Sequence, residues 1–164
     1  GSEMCIRDSL YAPAAGYLLV LAIHFLLDKA GLFQWIEHAT NAPAEQSIVS
    51  VLRHSSDIPL ITVICFSAAI AAPLVEELIF RGYLYPIMKK YTGVWFALIT
   101  TSLLFGIIHV SLVPFIPLAI FGAVLVLLYE YTGSIWTPII AHCIFNTATL
   151  INILYPGILL PYGT

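Results

Sequence analysis

Three groups that contain polar side chains interrupt otherwise apolar stretches of this 164-residue sequence: Glu76, Glu77 and Arg81; His109 with the apolar Phe105 four residues before it; His142 and Asn146. Carboxylates and imidazoles are common general bases for activating water, and amide or imidazole N–H groups stabilise a developing oxyanion. Ionisable groups inside a membrane span are costly, so each is a candidate functional residue. Together the three groups supply the side chains that hydrolysis of an amide bond requires.

The first group combines an ion pair with a second carboxylate. Glu77 and Arg81 have i,i+4 spacing with the acid first, which favours a helical ion pair. Glu76 lies about 100° around the helix from Glu77 and cannot share the arginine equally well. One carboxylate is then neutralised, while the other remains available for chemistry. A purely structural ion pair that fixes helix packing is the alternative.

The two histidine groups also have structural alternatives. His109 ends its apolar run, where a histidine often serves as an interfacial hydrogen-bonding residue. His142 and Asn146 are four residues apart and therefore share one helix face. Buried histidine and asparagine side chains also join membrane helices by hydrogen bonds.

Depth along the helices tests whether these groups can meet. At 1.5 Å per residue, Glu76 and His109 lie about 20 and about 22 Å from the short loop that separates their helices. His142 lies only about 8 Å beyond Thr137, where its own helix is predicted to begin. A shared site therefore requires the loop at 131–137 to dip inward.

The composition explains where these helices must lie. The chain is 60% hydrophobic and only 9% charged, whereas soluble domains carry about 25% charged residues. This excludes a soluble enzyme, a disordered tail and a basic nucleic-acid binder. The cysteines Cys5, Cys65 and Cys143 form no CxxC motif, so neither a disulfide framework nor a cysteine metal site is indicated.

Five apolar runs are long enough, or nearly so, to cross a hydrocarbon core that needs about 20 residues. They cover residues 10–27, 58–88, 94–109, 114–130 and 137–155. The predicted fold is all-α, a polytopic transmembrane helix bundle of about five spans. The second run is long for a single span, so we expect it to tilt or to kink at Pro73.

The runs also divide the chain. Residues 1–9 resemble a translated sequencing-adapter remnant, so we expect a non-native or disordered leader and missing upstream helices. Residues 10–57 hold the first span and a connecting segment, 58–156 the polar groups, and 157–164 a tail. Lys89 and Lys90 occupy a very short loop, which the positive-inside rule places in the cytoplasm, with 28–57 outside.

The motifs EExxxR, FxxxH and HxxxN, in this order and on separate spans, resemble those of the CAAX prenyl protease type II family, also called the CPBP or ABI family. The resemblance implies an α-helical endopeptidase whose site lies within the bilayer. It implies that Glu76 activates water with help from His109, and that His142 and Asn146 bind the oxyanion. Glu77, Arg81 and Phe105 would then be structural supports.

The sequence does not decide whether the site requires a metal. Glu76, His109 and His142 match a His₂Glu zinc set with one open position. However, no HExxH motif is present, and a glutamate that ligates metal cannot also act as the free base. The residues favour glutamate-activated water without an obligatory metal, and zinc stays open as the alternative cofactor.

Other readings predict different partners. A catalytically silent relative would act in bacteriocin self-immunity or as a membrane partner. A small transporter normally shows paired broken helices from an internal repeat, and the sequence has no such repeat. The enzyme reading predicts membrane lipid and a peptide or lipidated protein substrate as partners, no nucleic acid, and location in the bacterial inner membrane. The oligomeric state is not readable from the sequence.

Overall fold

A computed structural model describes residues 2–40, 47–109 and 115–155. The described residues form helices and short connections, without a strand. The helices are α1 (Ser2–Lys29), α2 (Leu32–Thr40), α3 (Ser47–His54), α4 (Ile58–Thr92), α5 (Val94–Ile107), α6 (Phe115–Thr132) and α7 (Trp136–Leu154). The predicted all-helical bundle is confirmed.

Three helices of the described part, α4, α6 and α7, are long and apolar enough to cross a membrane, and α5 is a shorter apolar helix. The predicted first span, residues 10–27, lies within α1. This helix already begins at Ser2, and the expected non-native or disordered leader at residues 1–9 stays a prediction. The predicted tail, residues 157–164, lies outside the described residues.

The start and end of α4 follow from local chemistry. The Asp57 carboxylate accepts the backbone N–H of Leu60 at 3.1 Å and so caps the helix. Pro59 lies in the first turn, where its missing N–H is not needed. Gly93 ends the helix with a φ of 84°, which glycine adopts readily, and α5 begins at the next residue.

Two wide turns interrupt α4, and each precedes a proline. Residues Ser67–Ala71 and Phe80–Leu84 are π-helical, with hydrogen bonds that run five residues back along the chain. Pro73 and Pro86 follow these stretches by two residues. Because a proline ring clashes with the carbonyl four residues before it, a wider turn relieves the crowding. The tilt or kink expected at Pro73 stays a prediction, and the backbone just before this proline is π-helical.

The beginning of α7 differs slightly from the prediction. The helix starts at Trp136, so Thr137 lies inside its first turn and is not the cap. The Ile135 side chain lies against Gly82, where an added Cβ would be 3.2 Å from Ile135 Cδ1. Gly82 is seven residues before Lys89, about 10 Å along a helix axis. The connection between α6 and α7 therefore dips inward, as the shared site requires.

The remaining helices pack around this framework. α5 and α6 approach closely at Gly122, where an added Cβ would lie 3.2 Å from the Ser102 Cα. α1 packs across α6 and α7, and an added Cβ on Gly16 would meet Val124 at 2.9 Å. Glycines at helix crossings permit such close backbone approach in membranes.

Candidate active site

The ion-paired motif residues of α4 face the interior of the bundle. Glu77 is 0% and Arg81 is 1% exposed, and Tyr85 one turn later is also buried. The opposite face of α4 carries exposed apolar side chains such as Val75 and Tyr83. This arrangement suits a helix whose outer face meets lipid and whose charges are paired inside the protein.

The predicted Glu77–Arg81 ion pair is present. Arg81 Nη1 donates to Glu77 Oε1 at 2.8 Å, within one helical face. Arg81 Nη2 donates to the backbone carbonyl of Gly122 at 2.8 Å. The guanidinium thus ties α4 to α6 at Gly122, which is also a close contact between α5 and α6.

Glu77 has a second donor. His142 Nδ1 lies 2.9 Å from Glu77 Oε1, across from α7 to α4. A carboxylate paired with arginine accepts hydrogen bonds, so Nδ1 carries the proton and donates it to Glu77. The other ring nitrogen, Nε2, then lies 3.7 Å from Glu76 Oε2. Glu77 therefore orients the imidazole toward the neighbouring carboxylate.

Glu76 has a different environment from Glu77 although the two are adjacent. Its side chain is 24% exposed. Its Oε2 atom is buried and has no hydrogen-bond partner among the described residues. A carboxylate oxygen that faces an imidazole without being tied to it is suited to accept a proton from a third molecule.

Phe105 is the centre of the ring contacts in the site. Its ring centroid lies 5.0 Å from that of His109 and 5.6 Å from that of His142. The Arg81 guanidinium lies 5.0 Å from the same centroid, in the geometry of a cation–π contact. Phe121 packs edge-on against His142 at 5.2 Å. One fully buried phenylalanine therefore fixes both histidines and the arginine.

His109 lies two residues past the end of α5, not inside the helix as predicted, and it is oriented by a carbonyl of that helix. Its Nδ1 lies 2.8 Å from the backbone carbonyl of Phe105, four residues earlier. Because a carbonyl can only accept, Nδ1 is the donor and Nε2 is left with its lone pair in the neutral ring. The FxxxH spacing thus places the His109 ring against Phe105 and also fixes which nitrogen of that ring carries the proton.

Asn146 is bonded elsewhere. Its Nδ2 donates to the backbone carbonyl of Ala68 at 2.8 Å, inside the first π-helical stretch of α4. Asn146 lies one turn after His142 on α7, but this hydrogen bond joins it to backbone and not to the glutamates. Its second amide N–H is not used in this bond.

Comparison with known proteins places these residues in a family. The family model of the Rce1-like type II CAAX prenyl endopeptidases matches residues 58–148, which is more than half of the chain. The chain belongs to this family. The family resemblance that the three motifs predicted is therefore confirmed, and all seven motif residues fall inside the matched range.

One curated relative has a comparable description. It is the Bacillus subtilis (strain 168) protein named "Putative membrane peptidase YdiL", which is 29% identical over 158 residues. The alignment covers 95% of this chain but 61% of the relative, so the chain spans less than two thirds of that protein's length. No solved structure matches the chain. Family membership together with the apolar helices makes this an integral membrane protein.

The zinc set that the sequence allowed stays a prediction. In the described ranges, no three His, Cys, Asp or Glu side chains are grouped so that they could hold a metal ion. His142 uses Nδ1 to bond Glu77, and its Nε2 stands 3.7 Å from a Glu76 oxygen. A metal-ligating histidine makes the same kind of hydrogen bond from its second ring nitrogen to a carboxylate.

Sequence reasoning missed three partners in the site. The backbone carbonyls of Gly122 and Ala68 accept from Arg81 and Asn146, and Phe121 packs on His142. Every residue has a backbone carbonyl, so the identity of Gly122 could not show that its carbonyl accepts a hydrogen bond. The prolines that follow the π-helical stretches are the one signal that could have indicated an unpaired carbonyl near Ala68.

Proposed function

We propose that this protein is an intramembrane endopeptidase in which Glu76 activates a water molecule for attack on a peptide bond. The observation that carries the proposal is the 3.7 Å approach of His142 Nε2 to Glu76 Oε2, while Nδ1 of the same ring is held by Glu77. A carboxylate beside an oriented imidazole is an acid–base pair within reach of a bound water.

The two adjacent glutamates have separate tasks in this proposal. Glu77 Oε1 already accepts hydrogen bonds from Arg81 and His142, so the Glu77 carboxylate holds these two side chains in place. Each glutamate has one buried oxygen, Oε2, without a partner among the described residues, but only Glu76 is partly exposed, at 24% against 0% for Glu77. Glu76 is therefore the base, and Glu77 with Arg81 keeps the imidazole in place.

The proposed reaction conserves protons and electrons. Glu76 takes a proton from water as the water oxygen bonds to the substrate carbonyl carbon, which gives a tetrahedral oxyanion. Collapse of this intermediate breaks the C–N bond, and the proton held by Glu76 passes to the departing amine. His109 Nε2 supports the water, since its other nitrogen is committed to the Phe105 carbonyl.

The oxyanion would be stabilised by His142. When protonated, the ring donates from Nδ1 to Glu77 and from Nε2 toward the space beside Glu76, and a preorganised donor of this kind suits an oxyanion. The role expected for Asn146 would have to use its second amide N–H, because the first is bonded to Ala68.

The substrate class follows from the position of the site. Glu76 and His142 lie between helices with lipid-facing apolar surfaces, so a substrate must reach them from the membrane or its interface. We propose a peptide or lipidated protein substrate, with the bacterial inner membrane as the location. The name of the curated relative, "Putative membrane peptidase YdiL", agrees with this class.

The decisive experiment measures cleavage of a quenched fluorescent peptide with a prenylated C-terminal segment by purified protein in detergent. We expect turnover by wild type, none by Glu76→Ala, and no loss with a metal chelator. Abolition by chelator and recovery with zinc would replace the free base by a metal. Absence of cleavage across prenylated, acylated and unmodified peptides would favour the catalytically silent alternative.

A further inference from the structure

The hydrogen bond from Asn146 to Ala68 has no role in the proposed reaction, yet it joins the two helices that carry the site. Asn146 Nδ2 lies 2.8 Å from the Ala68 carbonyl oxygen, and both residues are partly buried. Ala68 lies in the π-helical stretch Ser67–Ala71, eight residues before Glu76. This bond is a contact between a side chain of α7 and the backbone of α4.

The Ala68 carbonyl lacks a donor of its own helix for a specific reason. The N–H of Ala72, which an α-helix would direct to Ala68, instead bonds to the Ser67 carbonyl five residues back. In the same π register the next donor would come from residue 73, which is proline and has no N–H. Both backbone donors that could reach Ala68 are thus lost.

An unpaired carbonyl is costly in a membrane because no water is present in the hydrocarbon to satisfy it. Breaks in membrane helices are tolerated where neighbouring groups supply the missing partner. Asn146 is that partner here, since its amide nitrogen is a donor. The π-helical stretch and the asparagine on α7 therefore depend on each other.

The same bond sets the position of His142. Asn146 and His142 are one turn apart on one face of α7. Once Asn146 is fixed to Ala68, the rotation and depth of α7 against α4 are fixed as well. His142 is then held 2.9 Å from Glu77 and 3.7 Å from Glu76.

We infer that Asn146 is a positioning residue: it satisfies the Ala68 carbonyl freed by Pro73 and so keeps His142 in register with the two glutamates. The effect on turnover rests on the proposed peptidase function. The dependence on Pro73 does not, because it is measured as stability without substrate.

The test is a double-mutant cycle of Asn146→Ala and Pro73→Ala, read by thermal unfolding in detergent and by kcat and KM for the prenylated peptide. We expect Asn146→Ala to lower both the unfolding midpoint and kcat, with KM little changed. In the Pro73→Ala background residue 73 regains an N–H for Ala68, so the Asn146→Ala losses in midpoint and in kcat should shrink by at least half. Thr149→Val is the matched control on α7, because its hydroxyl bonds within its own helix.

Equal losses of kcat from Asn146→Ala in both backgrounds, with an unchanged unfolding midpoint, would overturn the inference and assign Asn146 to the oxyanion.

If Pro73→Ala does not fold, Asn146→Asp replaces it in the test. This change keeps the shape but removes both amide donors and faces Ala68 with an acceptor, so its unfolding midpoint should fall below that of Asn146→Ala. An Asn146→Asp midpoint equal to wild type would also overturn the inference. If no peptide is cleaved, the coupling in the midpoints still decides the positioning role separately from the peptidase function.

Discussion

The two adjacent glutamates, Glu76 and Glu77, point in different directions from α4, so one has a structural role and the other is available for chemistry. Glu77 faces the bundle interior and accepts from both Arg81 and His142. Glu76, about 100° around the helix, keeps an oxygen without a partner beside the His142 ring. The i,i+4 spacing to Arg81 predicted this division, because only one of the two acids can share the arginine well.

Removal of the Glu77 charge should destabilise the protein. Glu77→Gln leaves Arg81 buried without its ion pair, and breaking a buried pair costs about 3–5 kcal/mol. The matched control is Glu130→Gln, which breaks the more exposed Lys89–Glu130 pair at 2.7 Å, where the loss is about 0–1 kcal/mol. Chemical unfolding in detergent measures both changes. Equal stabilities of the two variants would contradict the assignment of Glu77.

Loss of the Phe105 ring should lower turnover even when an apolar side chain is kept at this position. Phe105→Leu keeps an apolar side chain but removes the ring that contacts both histidines and Arg81. Since a displacement of about 1 Å in a site can cost about 10²-fold in rate, we expect a kcat loss of that order.

Phe96→Leu on the same helix is the control, because Phe96 is 58% exposed on the outer surface. Steady-state kinetics of the two variants provide the comparison. A Phe105→Leu enzyme with the kcat of Phe96→Leu would mean that the ring does not position the histidines.

At the scale of the helices, the sequence predicted more of the architecture than of its irregularities. The positions of α4, α5, α6 and α7 were readable from the apolar runs to within a few residues. The π-helical stretches were not, because a proline indicates strain but not how the backbone relieves it. The Asn146–Ala68 bond depends on that relief and was therefore also missed.

The α5–α6 crossing leads to a prediction about small residues. A Cβ on Gly122 would lie 3.2 Å from the Ser102 Cα and 3.3 Å from Phe105 Cβ, so Gly122→Ala must push backbone or a core ring. Such overpacking costs about 1–3 kcal/mol, and it also disturbs the carbonyl that receives Arg81.

Gly82→Ala is the control for this substitution. Its added Cβ meets only the end of the flexible Ile135 side chain at 3.2 Å as its nearest contact. Thermal unfolding should show a lower midpoint for Gly122→Ala and little change for Gly82→Ala. The reverse order would mean that α5 and α6 are not in close contact at Gly122.

At the scale of the whole molecule, the ends of the spans define two surfaces. Lys89 and Glu130 pair where α4 and α6 end. Lys89 and Lys90 were expected in a short loop, but they lie in the last turn of α4, because the helix continues to Thr92. This end of α4 is predicted to face the cytoplasm, which puts the start of α4 on the opposite side.

Cysteine labelling tests this orientation. In a variant lacking the three native cysteines, Ser56→Cys should react with a membrane-impermeant maleimide in intact cells. Lys90→Cys should react only after lysis. The opposite pattern would reverse the orientation of every span, although the internal geometry of the site would be unchanged.

The central claim is that the carboxylate of Glu76 acts as the base, and the most direct measurement is the turnover of purified Glu76→Gln on the prenylated peptide. The substitution keeps the size of the side chain and removes its ability to accept the proton from water. We predict loss of detectable turnover with an unfolding midpoint close to wild type, whereas the Glu130→Gln control retains activity. Near wild-type turnover by Glu76→Gln would contradict the account.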